Sequence, residues 1–204
     1  IKEGQAVKFE VAAYSNEELL RIKDQGRKEL LQWLEARQEK QLYPGWAQDI
    51  LEQDCRVIVW CRRVVGYKRL DLFMSLLEDE ALREAFIKAK LVVVIGGRMH
   101  QDDPYGREQF ARLSALWRQF PGLQQRVVFF ENYNRREAPR LFQGADISMM
   151  LAFDGFEAAA TGFQKGQMNG CAIVATSDGA VPESVVFYDE KTDNLDEANG
   201  FLVP

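Results

Sequence analysis

One histidine, His100, and three cysteines, Cys55, Cys61 and Cys171, are all the imidazole and thiol chemistry this sequence holds. The histidine has no partner at metal-ligand spacing, which argues against a zinc centre and against a serine-type triad. The cysteines are odd in number and none forms a CxxC pair, a pattern of reduced, structural thiols in a cytoplasmic protein. No apolar run nears the roughly 20 residues of a membrane span, and no signal peptide is visible. Positive charge is in deficit: 26 Lys and Arg against 31 Asp and Glu leave a net charge of −5. A general nucleic-acid binder needs a basic face, so only local basic pockets for small anions remain open. Internal repeats and low-complexity stretches are absent as well.

What is present is the composition of a globular domain, 47% hydrophobic and 28% charged over 204 residues, enough for one full core. The chain begins at isoleucine and stops at "NGFLVP", where another segment is starting. Both ends are expected to be cuts in a longer protein. Residues 1–204 read as a single domain, with a leading helix and linker over 1–50 and a sheet core over 51–204.

Ser15 and Glu18 form an S-x-x-E capping box ahead of "NEELLRIKDQGRKELLQWLEARQ", whose leucines recur at helical spacing. Gly26 costs that helix about 1 kcal/mol relative to alanine. "YPGWAQD" (43–49) is the expected linker. Strands are predicted at 55–60, 91–97, 126–133, 145–151 and 171–176. Helices are predicted at 68–88, 106–120, 135–143 and about 161–169. Continuous apolar strands alternating with helices predict an α/β domain, a doubly wound parallel sheet covered on both faces. Ligands of such sheets bind beyond the carboxyl ends of the strands. The loops to watch are therefore 61–69, 96–106, 131–136, 152–165 and 176–183.

"CRRVVGYKRL" concentrates Arg62, Arg63, Lys68 and Arg69 after a strand end. Four cations so close repel one another, and an anion would relieve that; a solvated basic loop is the alternative. Gly96 and Gly97 allow a tight turn or a close backbone approach to a ligand. "FEAAATGFQKGQMNG" raises a sharper question: why does Lys165 stand in a run of small and apolar residues? Thr161 and Gly162 at a helix start could cradle a phosphate. Lys165, one turn on, is either an exposed helical lysine or an amine desolvated in an apolar pocket, as imine-forming lysines require.

"RRVVGYKR", "VVVIGGR", "RVVFFENY", "ADIS" and "EAAATGFQKGQMNG…TSDGAVPE" together resemble the C-terminal domain of the α-glucan phosphorylases, in the family's order and near its spacing. The resemblance runs from about Ser15 to Pro204. It implies a Rossmann-like domain, the C-terminal half of a two-domain GT-B glycosyltransferase. It also implies pyridoxal 5'-phosphate held as a Schiff base on Lys165, with the cofactor's phosphate exchanging a proton with inorganic phosphate. The implied reaction is phosphorolysis of α-1,4-glucan to glucose 1-phosphate with retention, and the protein supplies position and charge.

Carried over by motif, Arg63 and Lys68 resemble the ligands of the substrate phosphate, with Tyr67 beside them. Arg62 stands where the family usually has a lysine near the cofactor phosphate. Thr161 and Gly162 resemble that phosphate's cradle, and Tyr133 the tyrosine that contacts the cofactor. Glu157 resembles the carboxylate that binds glucose hydroxyls. The family's loop reads close to E-A-S-G-T; here Ala159 replaces the serine and Ala160 the glycine, positions that contact sugar and phosphate. An alanine at that glycine position is strained if φ must be positive. Phe163 and Gln164 also depart from the family.

The implied partners are α-1,4-glucan, inorganic phosphate and an N-terminal domain that completes the cleft, in a homodimeric full-length protein without nucleic-acid or membrane contacts. The fragment alone is expected to be inactive. A glycogen synthase-like nucleotide-sugar transferase would carry a second glutamate eight positions after Glu157. Lys165 stands there instead, which favours the phosphorylase. A degenerate glucan-binding or regulatory homologue is the reading the two alanines motivate.

Overall fold

A computed structural model describes residues 14–37, 42–99, 102–131 and 133–204; His100 lies outside them. Six strands among these residues form one sheet in the order β3-β2-β1-β4-β5-β6. They are β1 (Arg56–Arg63), β2 (Leu91–Arg98), β3 (Val127–Glu131), β4 (Ile147–Met150), β5 (Ala172–Ala175) and β6 (Gly200–Leu202). Every pairing is parallel. This is the doubly wound Rossmann-like arrangement, with the strand order reversing between β1 and β4. The five predicted strands are present; β6 follows at the sheet edge, where "NGFLVP" begins to extend.

Parallel strands need crossovers, and these are helical. The helices are α1 (Asn16–Ala36), α2 (Trp46–Glu52), α3 (Leu70–Glu78), α4 (Glu80–Lys88), α5 (Pro104–Gln119), α6 (Pro121–Gln124), α7 (Ala138–Gly144), α8 (Gly162–Met168) and α9 (Val181–Ser184). Side-chain alternation along β1 sorts the core onto two faces. Val57, Val59 and Cys61 pack with Leu30, Leu31 and Leu34 of α1, Ile50 of α2 and Leu141 of α7. Trp60 packs with Phe73, Met74 and Leu77 of α3, Phe86 of α4 and Leu113 of α5. A third cluster joins Phe163 of α8 to Met150, Ile173 and Val181.

The capping box is in place: the Glu18 N–H donates to Ser15 Oγ (3.3 Å) and the Ser15 N–H to Glu18 Oε2 (2.8 Å). Gly26 has a packing reason that outweighs its propensity cost. A Cβ there would lie 2.8 Å from the Gln143 carbonyl oxygen, so glycine lets α1 cross α7 at close range.

Two predicted elements are corrected. The helix expected over 68–88 is a 3-10 turn (Gly66–Lys68) followed by α3 and α4. Asp79 breaks it: its backbone is extended (φ −71°, ψ 128°) and its Oδ1 accepts from the Leu82 N–H (2.9 Å), starting α4 afresh. The expected linker 43–49 is a turn leading into α2. The Glu35 carboxylate of α1 caps that helix, accepting from the Gly45 N–H (2.6 Å) and the Ala47 N–H (2.7 Å). A long-range acceptor thus replaces the local cap that the sequence lacks.

At the amino edge of the sheet Arg27 reaches Asp146, just before β4, through Nε (2.9 Å) and Nη2 (2.8 Å). Asp146 also accepts from the Val57 N–H at 2.8 Å. One carboxylate therefore ties α1, β1 and β4 together.

Candidate functional site

The carboxyl ends of β1 and β4 frame a crevice at the switch point, and the sequence sends charge there from three loops. Arg62 is the penultimate residue of β1 and is only 6% exposed. Its Nη1 donates to the Leu151 carbonyl at 2.6 Å, and its Nη2 to the Glu157 carboxylate. Lys68, 8% exposed in the 3-10 turn, donates from Nζ to the same Glu157 oxygen at 2.7 Å. Of the four cations in "CRRVVGYKR", two converge here. Arg63, one residue on, is exposed at the strand end. Arg69 turns away: its guanidinium stands 4.2 Å over the Phe153 ring and its Nε lies 3.3 Å from Asp71.

The anion that gathers Arg62 and Lys68 in this structure is the chain's own carboxylate. Arg62 and Lys68 share the one Glu157 carboxylate, and buried Asp178 behind it balances the second positive charge. Burial holds the Arg62 guanidinium below its ordinary range, and Glu157 only partly opposes that. Its Nε is buried without a hydrogen-bond partner. A half-satisfied buried cation is costly, and an unpartnered guanidinium N–H suits a ligand that brings an acceptor oxygen.

Glu157 is itself held by Asp178, a buried residue the sequence reading did not single out. Asp178 Oδ1 accepts from the N–H groups of Gly155 (3.0 Å) and Gly179 (2.7 Å), and Oδ2 from the Glu157 N–H (2.9 Å). Thr176 Oγ1 accepts from the Ala152 N–H at 2.9 Å. The segment after β5 thereby fixes the segment after β4. The signal was present in "TSDG", an Asp-Gly turn directly beyond a strand.

The departures from the family take definite shapes. Ala160 has φ +52°, the left-handed conformation that glycine adopts freely and alanine does not. Ala159 is exposed. Thr161 is exposed and makes no side-chain capping bond to α8. Gly162 opens that helix.

Lys165 is exposed on α8. The apolar pocket expected around it is not present, because Phe163 and Gly166 turn the buried face of the helix the other way. Its charge still reaches the end of β1: it draws the Cys61 thiol down, although burial dominates and pushes that thiol up to about 12. Gly96 and Gly97 are strand residues, not a turn. A Cβ on Gly96 would sit 2.8 Å from Cys61 Sγ and 3.4 Å from the Tyr133 ring, so the missing side chain makes room for those two. Burial, and then Cys61, push the Tyr133 phenol up to about 12. Lys165 therefore acts on Cys61, and Cys61 on Tyr133, beyond one face of β1, while Arg62, Lys68 and Glu157 gather beyond the other. Tyr67 lies half-buried between Lys68, whose Nζ is 5.0 Å from its ring centroid, and Phe156, 6.0 Å away and nearly parallel.

Fold and site define a Rossmann-like α/β domain with a buried cluster of charged side chains at its switch point. Residues 118–186 match the carbohydrate phosphorylase family. The chain is 26% identical over 129 residues to the maltodextrin phosphorylase of Thermococcus litoralis, covering 63% of this chain and 15% of that protein. It is 25% identical over 165 residues to the glycogen phosphorylase of Mycobacterium tuberculosis, covering 78% and 17%. A 55-residue stretch is 42% identical to the H isozyme of α-glucan phosphorylase from Solanum tuberosum, covering 27% and 7%. The chain thus spans 15–17% of the length of the first two relatives. Its sequence is similar to those of the carbohydrate phosphorylases over this part of their length.

Proposed function

We propose that this domain supplies the phosphate- and cofactor-binding side of a pyridoxal 5'-phosphate-dependent α-1,4-glucan phosphorylase of GT-B architecture, which works in the cytoplasm. An N-terminal domain in a homodimeric parent would close the cleft. The observation that carries the reading is the buried Arg62–Glu157–Lys68 cluster, with its shared carboxylate and unpartnered Arg62 Nε. It stands at the switch point where such sheets bind ligands.

In this reading the residues that would hold the cofactor lie at the start of α8, at the end of β1 and beyond β3. Lys165 offers an exposed amine, Tyr133 a neutral phenol, and Arg62 a spare donor, with Thr161 and Gly162 at the start of α8. When bound, pyridoxal 5'-phosphate supplies an acid–base phosphate next to the substrate phosphate.

The chain's own groups perform the remaining tasks. Lys68 and Arg63 bind and orient inorganic phosphate, and Lys68 balances the charge that develops as the glycosidic bond breaks. An incoming anion competes with Glu157 for Arg62 and Lys68. A Glu157 oxygen released in this way is free to accept hydrogen bonds from glucose hydroxyls. Asp178 keeps the Glu157 backbone in place during that exchange. Tyr67, and the backbone at Ala159 and Ala160, border the sugar.

Borohydride reduction after incubation with pyridoxal 5'-phosphate, followed by peptide mapping, tests the cofactor site. The expected result is one adduct at Lys165, absent from Lys165→Ala. Equal labelling of many surface lysines, or none, would overturn it.

A further inference from the structure

Three aromatic rings run along the outer rim of the crevice, and the reaction chemistry leaves two of them unused. Phe156 is 66% exposed and Phe153 46% exposed. Their centroids are 6.2 Å apart, and Phe156 lies 6.0 Å from Tyr67 at an interplanar angle of 26°. The rings do not belong to a loose loop. The Phe153 N–H donates to the Tyr67 carbonyl at 2.9 Å. The residues on either side of Phe156, Gly155 and Glu157, donate their N–H groups to buried Asp178. Arg69 braces Phe153 from 4.2 Å. A rigid backbone thus holds large apolar faces out in water, against the usual preference for burying them.

We infer that Phe156, with Phe153 and Tyr67, forms a stacking shelf for a pyranose ring of an α-glucan. The inference rests on the glucan reading above and adds the surface that grips the sugar. A pyranose presents an apolar C–H face and a rim of hydroxyls. An aromatic face next to fixed charged hydrogen-bonding groups recognises both at once. Phe156 precedes Glu157 directly in the chain, and Lys68 Nζ stands 5.0 Å over the Tyr67 ring. Shelf and hydrogen-bonding groups are therefore one continuous surface. The shelf selects for ring shape, which the charged cluster cannot do.

Calorimetric titration of the full chain with maltoheptaose tests this. Phe156 is so exposed that Phe156→Ala should keep the parent melting temperature. The variant is expected to bind maltoheptaose about fivefold more weakly, Phe156→Tyr at parental strength, and Phe153→Ala with a smaller loss than Phe156→Ala. Equal affinity in parent and Phe156→Ala would overturn the shelf and leave the phosphorylase reading standing. No maltoheptaose binding by the parent would overturn shelf and glucan together, whatever Lys165 labelling shows. Binding of uridine diphosphate, lost in Phe156→Ala while maltoheptaose binding is unchanged, would reassign the shelf to a nucleobase.

Discussion

The two ends of this sheet each bury an arginine against a carboxylate, and the two pairs differ in almost every respect. At the amino edge Arg27 meets Asp146 through two hydrogen bonds, and the same carboxylate takes the Val57 N–H. Burial draws the Arg27 guanidinium down, but its bonds and charges outweigh that and raise it. At the carboxyl edge Arg62 moves the other way, because burial wins. Its Nε has no partner, and its carboxylate is shared with Lys68. Nearby, Ala160 holds a positive φ and Phe156 stays in solvent. The first pair is closed and serves the fold. The second is left incomplete, as sites that must accept a ligand are.

Breaking the closed pair should cost most. Asp146→Ala leaves the buried Arg27 guanidinium with only the largely exposed Asp24 (3.1 Å) and the Val57 N–H without its acceptor, and is expected to destabilise the chain by about 3–5 kcal/mol in urea unfolding. A loss near that of a surface bridge, under about 1 kcal/mol, would erase the contrast. Asp178→Asn should cost less, about 1–3 kcal/mol, because one amide oxygen still accepts while the new NH2 faces an N–H donor. Hydrogen exchange should quicken at the Gly155, Glu157 and Gly179 amides specifically, and unchanged exchange there would deny Asp178 its holding role. Ala160→Gly goes in the opposite direction. Relief of the left-handed backbone exceeds glycine's added entropy, for a gain of about 0.5–1 kcal/mol in the same unfolding assay; a loss would show that the conformation carries no strain.

The last effect is confined to alkali. The Tyr133 phenol is raised to about 12 in the folded chain, against an unfolded value of about 10. Its stabilising share is therefore whole below pH 10 and is lost as pH rises toward 12. Tyr133→Phe should flatten that decline in part only, since Tyr43 and Tyr105 are also raised to about 12. An unaltered slope would remove Tyr133 from the set.

Local patterns made most of the fold legible. Runs such as "LVVVIGG" can only be buried strands in a sheet covered on both faces, and they fell within a few residues of β1 to β5. What escaped was whatever depends on distant acceptors. Asp79 divides a helix that periodicity alone would continue, and Glu35 caps α2 from another helix. The crevice was half legible. Arg62 and Lys68 stood out as members of a four-cation loop, and Glu157 through the family resemblance. That they neutralise one another could not be read, because the contacts span 89 to 95 residues. Asp178 was missed for a related reason: its partners are backbone amides, which leave no mark in side-chain composition. Of the two places open to Lys165, an exposed helix face or an apolar pocket, the structure shows the first, because its apolar neighbours bury themselves on the other side of a short helix.

The strand order also dictates how a growing chain can assemble. β1, β2 and β3 are consecutive and can pair, with α3 to α6 packing over them, before β4 is made. Until then the second edge of β1 is bare, for its partner β4 comes late: the Val57 amide waits 89 residues for Asp146. An uncovered central strand as apolar as "RVIVWC" is a template for pairing with the wrong chain. The arrival of Asp146 closes that window, since the residue that satisfies Arg27 and Val57 is the one that leads β4 into place.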